Sequence, residues 1–175
     1  MSGQSPTASV WRRLTTRRGL RTLAATGAAA TASAVLGAWA TTPDDPHYRR
    51  LRTPPWQPPP VVFPLVWTPL YADVAVTSAA AILELDEQGR HQDAAMLRRT
   101  LAVNLALNTG WSVLFWRSRR PGLSTAWCAG LAAHSAVLTR RVGSADPSLG
   151  AALAPYPAWC TFATALNASI ARRNA

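Results

Sequence analysis

The chain has 175 residues, which allows one domain. Hydrophobic residues make up 49% and charged residues only 15%, eight residues are Trp, and the net charge is +10 with Arg as the only strong base. That basic balance would suit nucleic acid, but the Arg residues stand in short clusters at the ends of apolar segments. This distribution sets nucleic acid aside and favours lipid headgroups. A mean hydropathy of only +0.02 averages Arg-rich flanks and a Pro-rich loop with Ala-rich runs, so local windows are more telling.

Residues 1–21 are polar and Arg-rich and read as a disordered tail. Residues 22–41 hold no charge and are long enough for one membrane span. Arg17-Arg18 followed by an Ala-rich run ending Ala38-Trp39-Ala40 also fits a twin-arginine export signal, and the span is the favoured reading. Further spans are expected over 61–83, 97–116, 122–139 and 149–171, with a polar connection at 85–96 and a turn at Gly143–Pro147. No strand-like alternation appears. The fold class is all-α, an integral membrane five-helix transmembrane bundle with its folded domain over 22–175, since helices satisfy their own backbone in lipid. The Arg residues divide almost evenly between the two sides, so the positive-inside rule decides no orientation.

Residues 47–71, HYRRLRTPPWQPPPVVFPLVWTPLY, organise the chain. Five prolines between Pro54 and Pro60 with Trp56 among them cannot lie within a helix. They predict a stiff extended lid that drops into a helix near Val61. On that helix Phe63, Trp67, Tyr71, Val74 and Ser78 share a face at about 100° per residue. Asn104, Asn108, Trp111 and Phe115 share a face on the third span. Pro155, Trp159, Ala163, Leu166 and Ile170 do so on the fifth, with Tyr156 and Asn167 at its edge. Amides in lipid face inward. The three stripes are consistent with ordinary core packing and with one aromatic-walled pocket for a flat apolar ligand.

Ala102, Ala106 and Gly110 repeat small-xxx-small on the third span, which suggests a homodimer seam or packing within the bundle. Asp73 and His134 are ionisable groups inside spans; a functional role and a hydrogen-bonded pairing, one with the other, both fit. Cys128 and Cys160 follow no ligand or disulfide spacing. No metal site, nucleophile–base pair or phosphate loop can be assembled, so hydrolytic and metal chemistry are not expected.

Pro54-x-Trp56-x-Pro58-Pro59 with Phe63-Pro64-x-Val66-Trp67-x-x-Leu70-Tyr71, then Asn108-x-x-Trp111, then Pro155-Tyr156-x-x-Trp159-x-x-Phe162-Ala163-x-x-Leu166-Asn167, resemble the TspO/MBR family over roughly residues 48–174. That family comprises the tryptophan-rich sensory proteins of bacteria and the mitochondrial translocator protein. The resemblance implies a multi-pass protein, here of the bacterial cytoplasmic membrane, often homodimeric. It implies binding of tetrapyrroles such as protoporphyrin IX or a heme-like macrocycle as ligand, with no cofactor required. It places the site at Trp67, Trp159, Asn108, Tyr71, Trp111 and Ala163, under a lid containing Trp56. It leaves three activities open: sensing, transport, or light-dependent porphyrin degradation involving Trp67 and Trp159. Arg49, Arg50 and Arg52 suit porphyrin propionates by charge. The chain departs from the family at Thr53 and at His47-Tyr48. Ala168–Ala171 also lacks the Tyr of a sterol-recognition pattern, which weakens the case for sterol.

Overall fold

The computed structural model describes residues 12–42 and 44–175, and among them the regular structure is entirely helical. Helix α1 is Arg17–Ala40, α2 is the short Pro46–Arg49, and α3 is Val62–Glu87. Then come α4, His91–Arg117, α5, Pro121–Gly143, α6, Pro147–Leu153, and α7, Pro155–Arg173. The long helices alternate in direction and form the expected five-helix bundle, with α6 and α7 together making the fifth member. α1 and α3 are each long and apolar enough to cross a membrane.

Prolines and caps set the boundaries. Asp45 and Asp146 cap α2 and α6, accepting from the backbone N–H groups of His47 and Ser148 at 2.7 and 2.8 Å. Proline occupies the first turn of α5, α6 and α7, where a missing N–H costs nothing. The span expected over 149–171 is broken at Ala154, because Pro155 and Pro157 cannot donate back into α6. The polar connection expected over 85–96 shrinks to a turn at Gln88–Arg90, made tight by Gly89 at φ +73°. Polar residues on either side of that turn extend α3 and α4 beyond their apolar lengths.

The N-terminal expectation is corrected in part. Residues 12–14 are helical, α1 starts at Arg17 rather than at 22, and Leu14 is buried against Ala79 and Leu83 of α3. Arg13 pairs with Glu84 and with Glu87, and Arg18 reaches Asp86 at 2.9 Å. The acidic end of α3 thus supplies partners that order residues 12–21. The remainder of the expected tail, residues 1–11, lies outside the described residues.

α1 packs on α3 and α4 through a buried stripe of small residues, Thr26, Ala30, Ser33, Gly37 and Ala40. Small residues let helix backbones approach closely. Thr26 donates to the Ala75 carbonyl at 2.9 Å and Ser33 to the Leu105 carbonyl at 3.1 Å. The opposite face of α1 exposes Leu20, Val35, Leu36 and Trp39. The main core joins Leu70, Val74, Ile82 and Leu85 of α3 to Leu97, Leu101 and Leu105 of α4 and to Leu131, Leu138 and Val142 of α5. α5 packs extensively on α7, whereas α3 meets α7 only sparsely. That gap holds the site.

Candidate functional site

A cavity of about 820 Å³ opens between α1, α3, α4 and α7 under the proline loop. Trp67 sits at the centre of its aromatic wall. Its ring lies 6.5 Å from Trp111, 6.5 Å from Trp159 at 85°, and 5.6 Å from Tyr71. Phe115 stacks on Trp111 at 5.6 Å, and Phe63 meets Trp159 edge-on at 6.2 Å. The opposite wall is smooth: α1 contributes Gly27, Ala30, Thr31, Ala34, Gly37 and Ala38. Among the lining residues there is no charged side chain and no His, Cys or Met. The arrangement suits a large flat apolar body, with aromatic faces on one side and backbone-like surface on the other.

A few polar groups interrupt this surface. Tyr71 donates to Asn108 Oδ1 at 3.0 Å, and Asn108 Nδ2 donates to Tyr156 at 3.1 Å. Asn108 is thereby held with its amide spent on tyrosines. Gln57 Oε1, Trp111 Nε1, Trp159 Nε1 and Asn167 Oδ1 are buried without a hydrogen-bond partner, and all four residues line the cavity. Unpaired buried polar atoms are costly, so these are groups that a ligand with polar edges relieves after small side-chain rotations.

The residues expected at the site separate into three groups. Trp67, Tyr71, Asn108, Trp111, Trp159 and Ala163 are brought together on the cavity wall. Trp56 is not: it is 47% exposed and packs edge-on against Phe162 outside the cavity, so the lid residue that faces inward is its neighbour Gln57. Arg49, Arg50 and Arg52 are exposed and carried by the lid segment, none on the wall. Arg49 pairs with Asp44 at 2.5 Å, and Asn174 grips the backbone of Arg52 from both sides. At Gly110, one residue of the expected dimer seam, the chain makes a contact of its own. A Cβ there would meet the Trp127 ring of the same chain at 2.7 Å, and Trp127 Nε1 donates to the Leu107 carbonyl at 2.8 Å. Gly110 therefore serves packing of α4 on α5, while Ala102 and Ala106 are exposed. The α1 wall was missed by sequence reasoning, although the recurrence of Gly27, Ala30, Ala34 and Ala38 on one helical face was available as a signal.

His134 approaches Asn104 at 3.3 Å, so the pairing of Asp73 with His134 that their chemistry allowed is replaced by an amide contact. Cys128 and Cys160 are buried free thiols. Among the described residues no group of three His, Cys, Asp or Glu is placed to hold a metal ion. Beyond the apolar part of α3, Asp86 gathers Arg18 at 2.9 Å, Arg98 at 2.8 Å and His91 at 3.2 Å. Burial pushes its carboxyl up, but the hydrogen bonds from His91 and Arg98 and the charges of Arg98 and Arg18 prevail and hold it below the ordinary carboxylate range.

The model of the TspO/MBR family matches residues 24–173, which include every wall of the cavity. The chain belongs to the TspO/MBR family. It is 35% identical over 152 residues to the tryptophan-rich sensory protein of Cereibacter sphaeroides, covering 87% of this chain and 88% of that one. It is 33% identical over 144 residues to the protein CrtK of Rhodobacter capsulatus, covering 79% of each. The translocator protein of Ovis aries is 33% identical over 123 residues, 69% of this chain and 70% of its own. Membership in TspO/MBR makes this a membrane protein of the helical-bundle type.

Proposed function

We propose that this TspO/MBR protein is a multi-pass receptor of the bacterial cytoplasmic membrane that binds free-base porphyrin in the aromatic cavity and signals tetrapyrrole or oxidative stress. One observation carries the reading: Trp67, Trp111 and Trp159 from three helices converge on one neutral cavity, with Tyr71 and Asn108 beside them. Its volume falls in the upper part of the range of about 300–1,000 Å³ usual for small-molecule sites. Porphyrin supplies the flat face that the rings need, and its carboxylates can meet Arg49, Arg50 and Arg52 on the lid segment. The lining has no imidazole, thiolate or thioether for an axial bond and offers only the tyrosines Tyr48 and Tyr71 as axial donors, so metal-free porphyrin is favoured over heme.

Protoporphyrin IX titrated into protein in lipid nanodiscs tests this through saturable quenching of tryptophan fluorescence. Trp67→Phe/Trp159→Phe is expected to weaken binding at least tenfold. Binding that is absent, or indifferent to the double variant, overturns the reading. A second reading is light-dependent degradation of the bound porphyrin, supported by the two adjacent indoles of Trp67 and Trp159 on the aromatic wall, which could give an electron to an excited macrocycle. Loss of the Soret band only in light, only with oxygen and only with both tryptophans would establish it. Transport is separated from binding by directional flux into proteoliposomes.

A further inference from the structure

A file of side-chain hydrogen bonds leaves the cavity and crosses the bundle. It begins with Tyr71 donating to Asn108 and Asn108 donating to Tyr156. Tyr156 donates to Asn104 Oδ1 at 2.6 Å. Asn104 Nδ2 then reaches Ser135 Oγ at 3.1 Å and His134 Nδ1 at 3.3 Å. Ser135 in turn donates a hydrogen bond to the Leu131 carbonyl at 2.8 Å. Asn104, Asn108, Tyr156 and Ser135 are buried, so the file meets other surroundings only at Tyr71 on the cavity wall and at half-buried His134.

Every link donates away from the cavity. Each amide and hydroxyl in such a file has one donating and one accepting side, so the sense of the whole is set at its end. His134 Nδ1 accepts only in the neutral ring with its proton on Nε2; the imidazolium donates from both nitrogens. Once protonated, Nδ1 donates to Asn104, which must turn its Oδ1 towards it. Asn104 Nδ2 then serves Tyr156, Tyr156 donates to Asn108 Oδ1, and Asn108 Nδ2 donates to Tyr71. The Tyr71 proton is left to point into the cavity or at Ser33 of α1, which also faces that hydroxyl.

We propose that His134 is a positioning residue that reads proton availability at the Asp86 end of the bundle. Through the file it sets whether Tyr71 offers the cavity a hydrogen-bond acceptor or a donor. His134 lies about 9 Å along α5 from Arg140, near that end. Arg141 of its own helix is the charge that acts on it. α4 presents the neutral Asn104, α7 presents Tyr156 and, behind Ser135, Cys160, and α6 carries no titratable side chain. Tyr71 of α3 is reached only through the file. With His134 neutral, the cavity favours a ligand edge that donates, such as a lactam N–H. With His134 protonated, it favours an edge that accepts, such as a carbonyl or carboxylate. This last step rests on the reading of the cavity as the ligand site; the reversal of the file does not.

The test starts with ligand-free protein in nanodiscs. Difference infrared spectra of the tyrosine C–O stretch are recorded between about pH 8 and about pH 5.5, the interval in which histidine charges. Tyr71→Phe assigns the band, and nitrogen NMR of labelled histidine follows His134 directly. The Tyr71 band is expected to move with the His134 titration in the native chain and to stay fixed in His134→Gln and in Asn104→Leu. Should Asn104→Leu not fold, His134→Gln alone decides. A Tyr71 band that stays fixed while His134 titrates overturns the proposal, as does a His134 that keeps one protonation state throughout. Protoporphyrin affinity is then compared over the same interval. An increase of about tenfold on acidification, the worth of one hydrogen bond, is expected in the native chain and not in His134→Gln. If protoporphyrin binds neither protein while the band still moves, the porphyrin reading fails and the switch stands.

Discussion

Gly110→Ala tests whether this glycine serves the inside of the bundle or a second copy. The added Cβ would lie 2.7 Å from Trp127 Cζ2 and 3.3 Å from its Nε1, so the indole must shift. Its N–H is tied to the Leu107 carbonyl at 2.8 Å, and a shift sufficient to clear the methyl breaks that bond. Overpacking of this kind costs about 1–3 kcal/mol. The lost hydrogen bond adds about 1 kcal/mol, and the better helix propensity of Ala returns about 1 kcal/mol. The net loss is about 1–3 kcal/mol. For a chain of this length that lowers the melting temperature by roughly 2–4 °C per kcal/mol. The assay is a double-mutant cycle by thermal unfolding in nanodiscs, with Trp127→Ala as the second substitution. In the Trp127→Ala background the clash is gone, and Gly110→Ala is expected to be neutral or stabilising. If Gly110→Ala costs the same in both backgrounds and abolishes cross-linking between copies, the glycine belongs to a dimer seam and the packing argument is wrong.

Further outcomes follow from the same geometry. Asp86→Asn removes a carboxylate from between Arg18, Arg98 and His91, and is expected to destabilise by about 2 kcal/mol, a figure kept low because its partners are largely exposed. Because the folded carboxyl is held below its ordinary value, its contribution is present above about pH 4 and lost as pH falls through the folded value, so acid unfolding of Asp86→Asn should lack that component. Ala34→Phe places a ring on the smooth wall and is expected to abolish protoporphyrin binding while thermal unfolding stays near native; unaltered affinity would remove α1 from the site. Trp56→Ala is expected to change affinity less than threefold, since its ring packs on Phe162 outside the cavity, and a loss as large as that of Trp67→Phe would place it inside after all.

Much of this was legible in the sequence because membrane helices announce themselves locally. The stripes of Trp67/Tyr71, Asn108/Trp111 and Trp159/Ala163 follow from helical periodicity, and each lies on the cavity wall. The unread parts depend on which elements meet. A small-residue stripe such as Ala102-Ala106-Gly110 signals close approach without saying to what, and only the tertiary arrangement assigns Gly110 to Trp127. Arg13 and Arg18 looked like tail residues because their partners, Glu84 and Asp86, are remote in sequence. Trp56 and Gln57 lie in a tight turn closed by the Gln57 N–H on the Pro54 carbonyl at 3.0 Å, which sends the indole outward and the amide towards the cavity, and composition favoured the aromatic one.

The two ends of the bundle are built from different mechanical materials. At one end Asp86 and Glu84 clamp α1, α3 and α4 with several charge-assisted bonds. At the other, the proline loop is tied by neutral bonds between Asn174 and the Arg52 backbone. A bundle clamped this way is expected to yield first at its proline-loop end, and spreading there would part α3 from α7, whose mutual contact is sparse.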